Sequence, residues 1–80
     1  MFDVWVIQRQ VSKNNKILTM DYCEIQLPFA PFVGLYLLEQ DNTIETVLWD
    51  NGNHRFEVEL KSLQSEKTFN NPWIRTYPNV

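Results

Sequence analysis

Cys23 and His54 are the only thiol and the only imidazole in the chain, so they are the first candidates for covalent chemistry. A cysteine-dependent protease or transferase needs both groups within hydrogen-bond reach of each other. No recognisable motif surrounds Cys23, and an unpaired cysteine is commonly buried as a small apolar residue. We therefore rank a cysteine-dependent enzyme third among the possible functions, and we predict no catalytic residues.

Carboxylates are the other groups that could carry chemistry, and they occur in two close pairs. Asp21 with Glu24, and Glu57 with Glu59, could in principle divide the roles of acid and base. The second pair lies on one face of a predicted strand among basic neighbours, which is typical of a solvated charge row. His54 lacks the nearby second His or Cys that a zinc site needs, and two glycines cannot form a phosphate-binding loop. The sequence predicts no metal, no cofactor and no small-molecule substrate.

Length and composition indicate one small folded domain over residues 1–80. Of the residues, 44% are hydrophobic and 14% aromatic, which is enough apolar surface to offset the entropy of ordering. A secreted domain of this size usually carries several cysteines, whereas this chain has one. The first residues lack a basic segment before a long apolar run, and no apolar run is long enough to cross a membrane. We expect a cytoplasmic protein without a membrane segment.

Charge is distributed unevenly along the chain. The net charge is −3, with three acids and three bases in residues 1–34, six acids and one base in residues 35–60, and one acid and three bases in residues 61–80. An acidic chain lacks the basic footprint that nucleic acid requires. Nucleic acid is therefore an unlikely partner. A small barrel that binds single-stranded nucleic acid is kept as the second-ranked function.

The first half of the chain has the pattern of two long strands. Residues 2–7 are apolar on both faces, so this strand is either central in a barrel or covered by another chain. Residues 16–27 change the parity of their apolar positions near Tyr22 and Cys23, which predicts a β-bulge there. A helix over residues 16–26 is the weaker alternative.

Residues 35–60 have the pattern of a three-stranded meander. Strands are predicted over residues 35–40, 44–49 and 55–60, with two-residue turns at Asp41-Asn42 and Asn51-Gly52. A two-residue turn at Asn51-Gly52 pairs Trp49 with His54. A two-residue turn at Asp41-Asn42 likewise pairs Tyr36 with Val47. The two registers together collect one core face: Tyr36, Leu38, Val47, Trp49, Phe56, Val58 and Leu60. Residues 28–34, which contain two prolines, are predicted to be a connection.

These elements predict an all-β fold. We expect a small five-stranded antiparallel meander or a partly open barrel, with an aromatic C-terminal tail over residues 69–77. A proline-rich entry before a three-stranded meander, preceded by two longer strands, resembles SH3-like small barrels at the level of fold. Such barrels carry many unrelated functions, so the resemblance does not choose among them.

The leading functional hypothesis is a non-enzymatic domain that binds a protein partner or assembles with itself. In the predicted register, Glu39, Glu57 and Glu59 surround an exposed Ile44, and this acidic patch is expected to meet a basic partner. The remaining candidate contact residues are the apolar side chains expected to bury against a second copy: Trp5, Ile7 and Trp73.

Overall fold

The computed structural model describes residues 1–64, 69 and 72–77, and all regular structure within them is β-strand. The strands are β1 (Phe2–Val11), β2 (Ile17–Leu27), β3 (Tyr36–Leu37), β4 (Asn42–Asp50), β5 (Arg55–Leu60) and β6 (Ile74–Thr76). They form a sheet in the order β3-β4-β5-β1-β2-β6, which curls into a half-barrel. The predicted fold class, a small and partly open all-β barrel, is confirmed.

Two details differ from the prediction, because the sheet has six strands and is mixed. β1 pairs in parallel with β5, with Val4 beside Phe56 and Val6 beside Val58. The prediction paired strands that follow each other in the sequence, and short turns between such strands allow only antiparallel hairpins. A parallel pair needs a long crossover connection. Here residues 12–54 make that crossover and bring β5 against β1. As a result β1 is central, and its inward side chains Val4 and Val6 are fully buried.

The concave inner face of the half-barrel carries the hydrophobic core. Val58 and Leu60 of β5 are fully buried, and Val47 and Phe56 pack against them, as predicted. Trp49 belongs to the same face, but its side chain is 52% exposed at the end of the sheet, where it packs edge-on against Phe56. The buried core residues are Val4, Val6, Cys23, Leu37, Ile44, Val58 and Leu60.

The predicted two-residue turn between β4 and β5 is wrong, because the connection is four residues long. Asp50 pairs with Arg55, two positions away from the expected register. The Asp50 carboxylate accepts hydrogen bonds from the Asn53 side chain at 2.8 Å and from the Gly52 amide at 3.0 Å, which lower its pKa. The left-handed residue is His54, with a φ of 51°, so the loop is not a type I′ turn. A shift of two residues leaves the side chains of residues 46–50 and 55–60 on their predicted faces.

The prediction for β3 is also wrong, since Tyr36 and Leu38 are not core residues. β3 has two residues, and Tyr36 pairs with Thr43 instead of Val47. A tight turn follows at once, closed by the Asp41 amide on the Leu38 carbonyl at 3.2 Å, with Asp41 at a φ of 52°. Leu37 therefore points into the core, while Leu38 is 82% exposed.

The bulge expected at Tyr22 and Cys23 is absent, and so is the alternative helix. β2 pairs with β1 without interruption from Thr19 to Leu27, and the register shifts at Gln10 and Val11 instead. The apolar residues of β2 change parity along the sequence because a buried polar residue, Asp21, occupies the inward position that precedes Cys23.

Alanine substitutions at two adjacent residues of β5 should differ sharply in their effect on the stability of the fold. We expect Phe56→Ala to lower the free energy of unfolding by about 3 kcal/mol, because its ring packs on the core and on Trp49. Glu57→Ala should change it by less than about 1 kcal/mol, because its ion pair with Arg55 is partly solvated. Urea titration followed by fluorescence measures both values, and equal losses would contradict this placement of the two faces.

Candidate functional site

An open groove separates the C-terminal half of β2 from β3. It has a volume of about 440 Å³ and is lined by residues 25–27 of β2, by Phe29 and by residues 35–40. β2 and β3 face each other here without pairing, because β4, β5 and β1 lie between them in the order of the curled sheet. We call this opening the seam groove.

The loop before β3 supplies apolar side chains to the seam groove and to its rim. Two prolines keep residues 28–34 out of the sheet. Pro31 is buried, and Gly34, at a φ of 95°, donates its amide to the Ile44 carbonyl at 2.9 Å. The loop is thus fixed against β4 while Phe29 and Phe32 remain about half exposed. Exposed apolar side chains that cluster on one side of a small domain mark an interaction surface.

The charge near the seam groove is acidic and largely uncompensated. No Lys or Arg occurs in the sequence between Lys16 and Arg55, a stretch that contains six acids and supplies every residue that lines the groove. Glu39 lines the groove, and Glu24 lies on the adjoining part of β2. Within the described ranges, no cation lies within ion-pair distance of either carboxylate.

Trp5 and Ile7 lie on the convex outer face of the sheet, where both are about half buried. The Trp5 ring stacks on Tyr22 with a centroid distance of 5.6 Å. The guanidinium of Arg55 lies over the same ring at 4.5 Å, in a cation–π contact. Neighbours within the chain thus cover much of the second apolar side of β1, which the sequence suggested could meet another copy.

The patch expected around Ile44 is not formed. Glu45 is an extra residue where the β4–β5 register shifts, so Ile44 turns to the inner face and is 1% exposed. Glu57 and Glu59 do lie on the outer face, but Arg55 and Arg9 pair with them at 3.8 and 3.4 Å. Of the acids that the sequence placed in this patch, Glu39 alone lies elsewhere, at the seam groove.

A buried polar cluster that the sequence did not reveal closes the other end of the inner face. Asp21 is 1% exposed and accepts two hydrogen bonds from Arg75 of β6, at 2.8 and 3.2 Å, and one from Gln10 at 3.0 Å. Gln8, also buried, accepts a hydrogen bond from Asn42 at 2.7 Å. The sequence did carry a signal for this cluster, because the polar residues Gln8, Gln10 and Asp21 occupy inward positions of the two long strands.

The aromatic tail is partly docked on its own chain. Trp73 packs against the core, and the Phe69 ring lies 4.8 Å from it, while Tyr77 is 57% exposed. Trp73 is therefore covered at least in part by the protein itself. Residues 70 and 71 of the predicted tail lie outside the described residues.

Cys23 and His54 occupy unlike environments. Cys23 is 2% exposed within the core, and burial raises the pKa of its thiol to about 11. His54 is exposed in the loop between β4 and β5. A reactive cysteine needs a lowered pKa and access to solvent, so this position suits a structural role.

Neither a family model, nor a curated protein, nor a solved structure matches this chain. Its function must therefore be argued from its own surface. Over the part of the chain that the structure describes, no group of three or more His, Cys, Asp or Glu side chains could hold a metal ion. No helix among the described residues is long and apolar enough to span a membrane.

Removing the buried charge of β2 should be costly. We expect Asp21→Asn to lower the free energy of unfolding by about 3 kcal/mol, because it leaves the Arg75 guanidinium without its anion. Asp3→Asn is the matched control, since Asp3 is exposed and should change stability by less than about 0.5 kcal/mol. Chemical denaturation of both variants measures the difference, and an equally small effect of both would refute the structural role of the ion pair.

The Cys23 thiol should react slowly with a disulfide reagent while the chain is folded. A pKa raised from 9.0 to about 11 leaves about 100-fold less thiolate at neutral pH. The same shift makes the fold lose stability as the pH rises from 9.0 through about 11. Absorbance of the released thiolate, compared between folded and urea-unfolded protein, gives the ratio of rates. Similar rates in the two states would contradict the burial of Cys23.

Proposed function

We propose that this chain is a non-enzymatic protein-binding module whose partner occupies the seam groove. The observation that carries the proposal is the exposed apolar rim of that groove, in which Leu38 is 82% and Phe29 45% exposed. Covering such a side chain contributes about 1.5 to 3 kcal/mol. An 80-residue chain with a thin core gains nothing in its own stability from leaving these side chains in water, which argues that they serve an interaction.

Two alternatives receive less support from the surface. A nucleic-acid-binding barrel needs free cations beside its aromatic side chains. On the outer face, the cations beside Trp5 and Ile7 are Arg55 and Arg9, and both already pair with glutamates. Self-assembly through the outer face would have to displace those ion pairs, whereas the seam groove is open without any rearrangement.

A photo-crosslinker placed on each face tests the proposal. Benzoylphenylalanine at position 38 lies on the rim of the seam groove, and the same group at Leu48, a 53% exposed leucine of the outer face, is the control. After irradiation in cells of the natural source, we expect position 38 to give adducts with a different protein and position 48 to give at least about tenfold fewer, since a groove-bound partner covers one face only.

Two results would overturn the proposal. Equal yields from both positions would indicate random collision, and adducts of twice the mass of the chain would mean that the groove serves self-assembly. Leu38→Asp should leave stability within about 0.5 kcal/mol of the wild type, because the side chain is exposed. Combined with benzoylphenylalanine at position 29, which also lines the groove, the same substitution should abolish the adducts.

A further inference from the structure

One edge of the half of β2 that borders the seam groove has no strand partner in the part of the chain that the structure describes. β2 pairs with β1 along its length, but β6 covers only Met20–Tyr22 of its other edge. From Cys23 to Leu27, that edge has no strand partner among the described residues. Every second residue of a strand directs its N–H and C=O groups to the same edge, so this stretch presents backbone donors and acceptors to the groove.

β6 itself does not continue along this edge as a strand. It begins at Ile74, and Pro72 has no backbone N–H to donate to a ladder. The apolar side chains of Ile25, Leu27 and Leu35 line the seam groove beside this edge.

We propose that the seam groove binds its partner by strand addition, and that the occupant is an extended peptide segment with alternating apolar and basic residues. This inference rests on the proposed function and specifies how the partner is bound. An extended peptide can satisfy the backbone groups of Cys23–Leu27, whereas a docked helix has no free backbone groups to offer them. Five strand residues span about 17 Å, so the bound segment is about five to seven residues long.

Charge complementarity determines the composition of this segment. Glu39 lines the groove, and Glu24 lies on the outer face of the strand that borders it, beside Trp5; neither has an ion-pair partner among the described residues, and this part of the chain contains no Lys or Arg. Lysine or arginine side chains on the added strand can pair with them. The side chains on the inward face of the strand are expected to be apolar, because they meet Ile25, Leu27 and Leu37. An acidic peptide would be repelled.

Selection from random decapeptides displayed on phage supplies the probe, with the full-length chain as the bait. We expect enriched sequences to alternate apolar residues with at least two Lys or Arg, and to bind the Leu38→Lys variant at least tenfold more weakly, because it removes an apolar contact and repels a basic peptide. A synthetic peptide of the best sequence is then titrated calorimetrically. N-methylation of single amides along it should reduce affinity at least tenfold at every second position and less than about threefold at the positions between.

Two matched pairs of charge variants test the basic preference. Glu24→Gln with Glu39→Gln should weaken the basic peptide about tenfold at low salt, and the difference should shrink at high salt. Glu45→Gln with Glu57→Gln removes the same number of charges from the outer face and should change affinity less than about twofold.

The outcomes separate the two levels of the proposal. If peptides bind the groove but N-methylation shows no alternation, strand addition is refuted while the protein-binding function stands. If acidic or uncharged sequences are enriched, the basic occupant is refuted. If no peptide distinguishes wild type from Leu38→Lys and the crosslinks from position 38 are also absent, the proposed function falls as well. A dimer in light scattering that Leu38→Lys dissociates would make a second copy the occupant.

Discussion

The half-barrel stays open because the strands at the two ends of its sheet are too short to pair with each other. β3 has two residues and β6 has three, whereas the strands between them have six to eleven. A closed barrel satisfies all its edges, but an open one leaves backbone groups and apolar side chains in contact with water. The seam groove, its exposed leucine and its unpaired edge all follow from this one constraint.

The buried ion pair explains why the edge of β2 is covered at one half and free at the other. Arg75 reaches Asp21 from β6, and their hydrogen bonds hold the short strand against the N-terminal half of β2. A charge with 1% exposure requires such a partner, because an unpaired buried carboxylate is costly. The pair therefore fixes the position of β6, while Pro72 prevents β6 from extending over the remaining edge. Among the described residues, no strand pairs with the edge of β2 that borders the groove.

Local patterns were sufficient to predict the fold class and most of the strands. Alternation in residues 55–60 placed Val58 and Leu60 inside, and a shift of two residues in the hairpin did not alter that result, because the side-chain period of a strand is two. The parallel contact of β1 with β5 could not be predicted, since nothing local to Val4 or Phe56 specifies a partner fifty residues away. Long-range pairing is decided by which strands bury the most apolar surface together.

The candidate site was predicted less well, because it depends on single-residue irregularities. One extra residue at Glu45 turned Ile44 into the core, and one tight turn at Asp41 moved Leu38 from the expected core to the groove rim. Glu39 was predicted as a contact residue because of its charge. It lies at the seam groove, but its neighbours there are not the ones that the sequence predicted. The charge asymmetry of the sequence nevertheless fell on a segment that contributes to the seam groove, since residues 35–60 hold six acids against one base and residues 35–40 line the groove.

The open seam is the central claim, and amide hydrogen exchange of the free protein, measured residue by residue by NMR, tests it most directly. Amides of β2 that point to β1 should be strongly protected, as should those of Val4 and Val6 on the central strand. Between Cys23 and Leu27, every second amide should instead exchange at least about 100-fold faster, because it faces the seam without a partner. Uniform protection across this segment would mean that the edge is already paired, and would contradict the account.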